Sequence, residues 1–395
     1  MNVPKLRFKG FEEKWEEKRL GNYLVEYKER ISVPTELPVL TSSRSGLFFQ
    51  KDYFNDRELQ NNGEYGIIPR GYFTYRLMSD DSTFKFNINN LVDIGAISKE
   101  YPVFTTNGMN SYFLLQKLNY GYEFKTYAVA QKLGGTRTRL YFNKLIELKI
   151  IIPTIHEQTK IANFLTAIDE KITQLTQKYD LLKQYKKGIM QQIFSQKLRF
   201  KDEDGREFPK WEEKKLGDIG IFKSGIGFPE NMQGGKAGIP FYKVSDMNIE
   251  ANDTTMKIAN HYVTDDQIKI MKSKVIKETA IIFAKVGAAI FLERKRIASN
   301  FLIDNNMMAF IPNANIQFIK QYFDTLTLSK FAQVGALPSY NSSDLTIIKV
   351  NIPSETEQIK IANFLTAIDG KITHTQTQLD AVKLYKKGLL QQLFV

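Results

Sequence analysis

Residues 157–173 read EQTKIANFLTAIDEKIT and residues 357–373 read EQIKIANFLTAIDGKIT, identical at fifteen of seventeen positions with an offset of 200. The likeness continues as YKKGIMQQIF at 185–194 against YKKGLLQQLF at 385–394. A second repeated pair comes earlier: KLRF at 5–8 and 197–200, then KWEEKRLG at 14–21 against KWEEKKLG at 210–217. The latter pair holds Trp15 and Trp211, the only tryptophans. Self-similarity at a fixed period sets the organisation of a chain before any local pattern is read. This chain is built twice. Its segments are a lead-in at 1–21, a first block at 22–152, a repeated segment at 153–196, a second lead-in with a polar linker at 197–217, a second block at 218–352 and the second repeated segment at 353–395. The two blocks show no alignable identity, so frame and inserts do different work.

The frame reads as helix. Pro153 and Pro353 each close a β-rich run, and Thr154 with Glu157 and Ser354 with Glu357 have the spacing of a capping box. Beyond them apolar residues recur in heptads, with Leu165, Ile168, Ile172 and Leu175 in the first copy and Leu365, Ile368, Ile372 and Leu379 in the second. That is a coiled-coil seam. About 40 residues at ~1.5 Å each make a rod of roughly 60 Å. A helix with such a seam needs a partner. The other copy is the expected one, in either direction, with oligomerisation as the alternative.

The blocks read as mixed α/β. Short β-like runs at 65–77, 140–153, 279–297 and 345–353 alternate with Gly, Asn and Pro turns, and short helices are expected at 264–272 and 315–333. Their strand order is not legible.

No catalytic centre emerges. The chain has no Cys, which excludes a disulfide scaffold, a thiol nucleophile and a Cys-based metal site. Only His156, His261 and His374 are present, too few for a His-rich metal centre. His156-Glu157 lacks the second His of a zinc-protease helix. Gly225-Ile226-Gly227-Phe228-Pro229-Glu230 lacks the third glycine of a dinucleotide loop, and Gly235-Lys236-Ala237 is not a P-loop. No Gly-x-Ser-x-Gly elbow and no Asp/Asn-Pro-Pro-Tyr/Phe of an amino-methyltransferase occur. The pairs Asp80-Asp81 and Asp265-Asp266 read as solvated turns. The opening MNVPKLRFKG lacks the apolar core of a secretion signal. The most apolar stretch, 279–292, carries Lys285 and falls short of the ~20 residues a membrane span needs. A cytoplasmic chain without a membrane partner is expected.

The formal net charge of +12 favours a polyanionic partner. It is spread thinly, with +3 on residues 21–155 and +2 on 218–355, so any basic face must be assembled by folding. Phosphate contacts need Lys, Arg and hydroxyls, and base edges need Arg, Lys, Asn, Gln or Ser. In the first block the candidates are Arg44, Arg70, Tyr75 and Arg76, together with the loop Gly134-Gly135-Thr136-Arg137-Thr138-Arg139. In the second they are Lys243, Ser245, Lys285, Arg294, Lys295 and Arg296, with Ser339, Tyr340 and Asn341 in the matching loop that begins at Gly335-Ala336. Both loops come shortly before the run that leads into the long helix. The exposed lysines Lys183, Lys186, Lys187, Lys383, Lys386 and Lys387 could meet DNA, partner subunits or solvent.

Two divergent inserts, each followed by Pro-x-x-x-Glu-Gln-x-x-Ile-Ala-x-x-Leu-x-x-x-Asp and a long helix, resemble the specificity subunit of a type I restriction–modification system. The matching stretches are Pro153 to Asp169 and Pro353 to Asp369. The resemblance implies two target-recognition domains that read the halves of a bipartite sequence in double-stranded DNA. It implies an antiparallel coiled coil acting as a ruler between them. It also implies two methyltransferase subunits that use S-adenosylmethionine to methylate adenine, and motor–nuclease subunits that use ATP and Mg. The specificity subunit itself carries no catalytic residue, cofactor or metal. Two other classes stand against this reading: a scaffold whose inserts bind peptides or glycans, and an enzyme with an unrecognised site.

Overall fold

The computed structural model describes residues 4–54, 63–132, 136–333 and 337–394. They form two compact units, Met1–Gln177 with Gln376–Val395, and Lys178–Thr375. The long helices run Ile155–Phe194 and Glu355–Leu393, so both unit boundaries fall inside helices. Each unit therefore owns one block, the first half of the helix that follows it and the last half of the other helix.

In the first unit, the lead-in strand Glu16–Arg19 pairs antiparallel with Lys149–Ile152, Glu16 opposite Ile152. In the second, Glu212–Lys215 pairs with Lys349–Ile352, Glu212 opposite Ile352. The register is the same in both, so the repeated KWEEK segment zips the entrance of each block to its exit.

Between these ladders, blocks without alignable sequence share one strand order. The first unit has a four-stranded antiparallel sheet ordered Leu24–Tyr27, Val103–Thr106, Phe73–Tyr75, Phe86–Ile88. The second has Gly220–Ser224, Met307–Pro312, Ala280–Ala284, Lys295–Ala298. In each sheet the second strand leads into a helix capped by an asparagine, Ser111–Tyr120 behind Asn110 and Ile316–Thr325 behind Asn315. Both asparagines accept a backbone N–H three residues on, from Phe113 and Phe318, which satisfies a donor the helix start leaves free. Aromatic residues fill the space between sheet and helix: Phe73, Tyr75, Phe86, Phe104 and Phe113 in one unit, and Phe283, Phe310, Phe318 and Phe323 in the other. The β-like runs at 140–153 and 345–353 are shorter as strands than expected. Phe142–Leu145 and Ser342–Thr346 are helical turns, and only Lys149–Ile152 and Lys349–Ile352 extend. Asp265-Asp266 opens the helix Asp265–Ile270 instead of a turn, with Thr264 as its cap. Gly225 stands where an added Cβ would lie 1.7 Å from the Asp304 carbonyl oxygen, so this glycine serves a close backbone approach.

The helix seam is buried as patterned. Leu165, Ile168, Leu175, Leu365, Ile368 and Leu379 are buried, and Ile172 and Ile372 half-buried. In the first unit Leu6 N–H donates to Gln392 O while Lys386 pairs with Asp169, so the partner runs backward as this helix runs forward. In the second, Phe194 meets Trp211 edge-on, Trp211 donates to Glu357, and Lys186 pairs with Asp369 at 2.6 Å. The pairing is antiparallel in both.

The polar residues of the repeated motif are consumed in these joints. Glu157 accepts from Arg7 Nε at 2.9 Å and Nη2 at 2.6 Å. Glu357 accepts from Arg199 Nε at 3.2 Å and Nη2 at 2.7 Å, and from Trp211 Nε1 at 3.1 Å. The expected capping boxes are therefore corrected. A paired guanidinium outbids a single backbone N–H for the carboxylate, and Ser354 Oγ is left buried without a hydrogen bond among the described residues. Gln158 and Gln358 donate to the carbonyls of Pro153 and Pro353 and accept from the backbone N–H of Asn110 and Asn315. Asp169 receives Tyr112 and Lys386, and Asp369 receives Gln321 and Lys186. Phe8 meets Phe164 edge-on at 5.3 Å and Phe200 meets Phe364 at 5.4 Å, which explains the recurring KLRF. Lys186 and Lys386 are thus taken by the opposite helix and are not free to meet DNA.

Removing one member of a buried pair strands the other charge. Glu357 is fully buried, so Arg199→Ala is expected to destabilise by about 3 kcal/mol, read as a lower urea midpoint. Arg206→Ala, whose partner Asp204 is exposed, is expected to move it by less than ~0.5 kcal/mol.

Candidate nucleic-acid interface

The first unit gathers several of the sequence candidates into one cleft. Strand Met78–Ser79 pairs with Thr138–Arg139, which ties the loop at 136–139 to the turn at 80–83. The hairpin Leu40–Ser43 with Gly46–Phe49 places Arg44 at its tip, and buried Asn87 fastens it through Ser42 Oγ and Ser43 O. The result is a cleft of about 300 Å³ whose wall carries Arg44, Arg76, Lys85 and Arg137 against Asp80 and Asp81. Asp81 accepts from the Thr83 N–H, the Arg44 guanidinium and the Ser79 hydroxyl, which together hold it well below the usual carboxylate range. Asp80 accepts from Arg137 Nε at 2.8 Å. The acidic pair is exposed in a bend, as expected of a solvated turn, and it also anchors two arginines.

Other first-block candidates lie elsewhere. Arg70 pairs with Asp93 at 2.7 Å and does not line the cleft. Arg139 is exposed at the edge of the short ladder. Thr136 lies beside Arg137, while Gly134 and Gly135 lie outside the described residues. Tyr75 and Thr138 are corrected. Tyr75 is fully buried, and its hydroxyl donates to Leu140 O, so burial pushes the phenol up. Thr138 is buried and bonded to Ser82 Oγ. Aromatic and β-branched residues in mid-strand face the core, which charge and loop position alone do not reveal.

In the second unit the matching loop occupies the matching place. Tyr340 N–H donates to Lys285 O, as Leu140 N–H donates to Leu77 O in the first. Lys285 thus lies beside Ser339, half-exposed and without a side-chain bond among the described residues. Ser245 is exposed, and Lys243 reaches Gln233 at 3.3 Å. Asn341 caps the helical turn Ser342–Thr346. Gly335 and Ala336 lie outside the described residues. Three candidates here, Tyr340, Lys295 and Arg296, are corrected. Tyr340 is buried, its hydroxyl on Ala284 O and its pKa raised by burial. Lys295 is buried between Glu293 at 2.8 Å and Leu326 O at 2.9 Å. Arg296 is spent on Asn252 O at 2.7 Å, whereas half-exposed Arg294 gives only Nη1 to Asn248. Two of this run of three cations, Lys295 and Arg296, are thus internal fasteners.

Comparison with known proteins then decides the family. The profile of the type I restriction modification DNA specificity domain matches residues 13–184 and again 209–384. The chain belongs to this family. Its two matches coincide with the two repeated halves. It is 26% identical to the type I restriction enzyme MjaIX specificity subunit of Methanocaldococcus jannaschii, over 69% of this chain and 67% of that one. It is also 26% identical to the putative MjaX specificity subunit of the same organism, over 81% and 78%. In fold it resembles the S subunit of a type I system from M. genitalium, with TM-score 0.58 at 16% identity over 100% and 99% of the two chains. A chain from a structure of type I restriction–modification assembly and conformational transition matches with TM-score 0.56 at 14% identity, over 98% and 99%. Among the described residues no helix is long and apolar enough to cross a membrane.

The burial contrast makes a direct prediction. Tyr75→Phe and Tyr340→Phe each remove a buried hydroxyl bond and are expected to cost about 1 kcal/mol of stability. Arg76→Ala, at an exposed side chain, is expected to stay within ~0.5 kcal/mol of the parent. Urea unfolding followed by tryptophan fluorescence separates the two groups.

Proposed function

We propose that this chain is the sequence-reading subunit of a type I restriction–modification complex. Each unit reads one half of a bipartite target in double-stranded DNA. The long helices act as the ruler that the family resemblance implies. Two partner methyltransferase subunits bring S-adenosylmethionine and methylate adenine at the chosen site, and motor–nuclease subunits with ATP and Mg cleave unmodified DNA. The chain contributes recognition and no catalytic group.

The observation that carries this reading is the duplication of a frame around inserts that differ in their surface. Both units keep the same four-strand order and the same loop position beside the third strand. One presents arginines there, the other Lys285 and Ser339. Two readers of one design with different lining suit a target whose halves differ. The small net charge of each block suits a reader whose partners supply much of the phosphate contact, the part of affinity that depends on salt.

Genome-wide adenine methylation, read by long-read sequencing with and without the gene, tests it. One bipartite motif is expected to vanish on deletion. Exchange of residues 22–152 for another family member's block is expected to change one half of the motif and leave the other. Retention of every motif on deletion, with the methyltransferase subunits expressed, would remove the reading.

A further inference from the structure

The arginines of the first block differ in which edge of the guanidinium is already occupied. Reading guanine takes two parallel N–H bonds to O6 and N7, which asks for a free terminal fork. Arg44 has spent its fork: Nη1 donates to Asp81 Oδ2 at 2.9 Å, and Nη2 to Asp81 Oδ1 and Ser79 Oγ. It braces the hairpin tip against the turn. Arg137 is held differently. Its Nε donates to Asp80 Oδ1 at 2.8 Å, and neither terminal nitrogen has a partner among the described residues. The side chain is 62% exposed. Its carboxylate contact therefore orients the guanidinium while leaving the fork open. Arg76 is exposed, with no side-chain partner among the described residues, and it lines the same cleft. Among the described residues no Asn or Gln, the residues suited to the adenine edge, lines that cleft.

We propose that Arg137 and Arg76 read guanine in the half-site of the first unit, with Asp80 as the positioning residue for Arg137 and Arg44 as a structural brace. This rests on the DNA-reading function proposed above and assigns the base that one unit selects. Among the described residues the second unit has no comparable arginine pair at its loop: all three nitrogens of Arg296 are bonded, and Arg294 gives Nη1 to Asn248. Its half-site does not depend on this chemistry.

The test uses the full chain with its methyltransferase subunits in cells, with methylation motifs read for the parent and for Arg137→Ala, Arg137→Lys, Arg76→Ala and Asp80→Asn. The half that responds to exchange of residues 22–152 is the first unit's half. It is expected to contain a G·C pair. Arg137→Ala is expected to lower discrimination at that pair by roughly 10-fold or more, with the other half unchanged. Arg137→Lys keeps the charge but loses the fork, so it is expected to relax the same pair without altering the salt dependence of binding. Asp80→Asn is expected to relax it by a smaller factor. In vitro, 7-deazaguanine at the pair removes the N7 acceptor and is expected to weaken the parent and leave Arg137→Ala unmoved.

A first half without an essential G·C pair overturns the assignment while the bipartite reading stands. So does an Arg137→Ala protein that loses methylation evenly at all sequences, the behaviour of a phosphate contact. A parent that yields no bipartite motif at all overturns the functional reading, and this assignment with it. Unchanged urea midpoints for these exposed positions exclude misfolding as the cause of any loss.

Discussion

A helix of forty residues with an apolar seam cannot stand alone in water. Everything else in this protein follows from how that seam is covered. Neither long helix is completed by its own block. Leu389, Leu390 and Leu393 of the second helix, with Phe394 just past its end, sit in the core of the first unit with Ile161 and Leu165. Met190 and Ile193 of the first helix sit in the core of the second with Ile361 and Leu365. Each buried aliphatic side chain contributes about 1.5–3 kcal/mol, so these few residues outweigh any surface ion pair. The Asp169–Lys386 and Asp369–Lys186 pairs add direction and register to that burial. Half of each repeat is a socket and the other half a plug for its counterpart.

That exchange accounts for the repeated motif residue by residue. Glu157 and Glu357 clamp the lead-in arginines, Gln158 and Gln358 hold the capping asparagines, and Asp169 and Asp369 receive lysine from the opposite helix. No side chain named in the motif remains over for contact with DNA. The inserts are free to vary at their loops because their ends are zipped, their helices are capped and their cores are anchored by the frame.

The frame was legible in the sequence because duplication marks it and heptads announce its geometry. The seam residues Leu165, Ile168, Leu365 and Ile368 needed nothing beyond spacing. The capping boxes were misread because their glutamates have a distant rival partner, and local spacing does not know about Arg7 or Arg199. The shared strand order of the blocks was invisible, since a sheet is specified by burial pattern and not by identity. The interface was half legible. Loop position located Arg137 and Ser339, and charge located Arg44 and Arg76. Charge also promoted Lys295 and Arg296, whose role is internal. Asp80 and Asp81 read as a solvated turn and are exposed in one, but that reading omits their hold on Arg44 and Arg137. An Asp-Asp pair lying near several arginines is the one sequence signal that could have found their role.

The duplicated halves are unequal in time of assembly. The second unit is one continuous run, Lys178–Thr375, and the first is split, with Gln376–Val395 returning to it. On a ribosome adding ~5–20 residues per second, the first block waits on the order of ten to forty seconds for the segment that fills its core. Throughout that interval the sockets for Leu393 and Phe394 stand open beside Trp15 and Phe113. The half made first is the half finished last, and its exposure to premature association is longer than that of its twin.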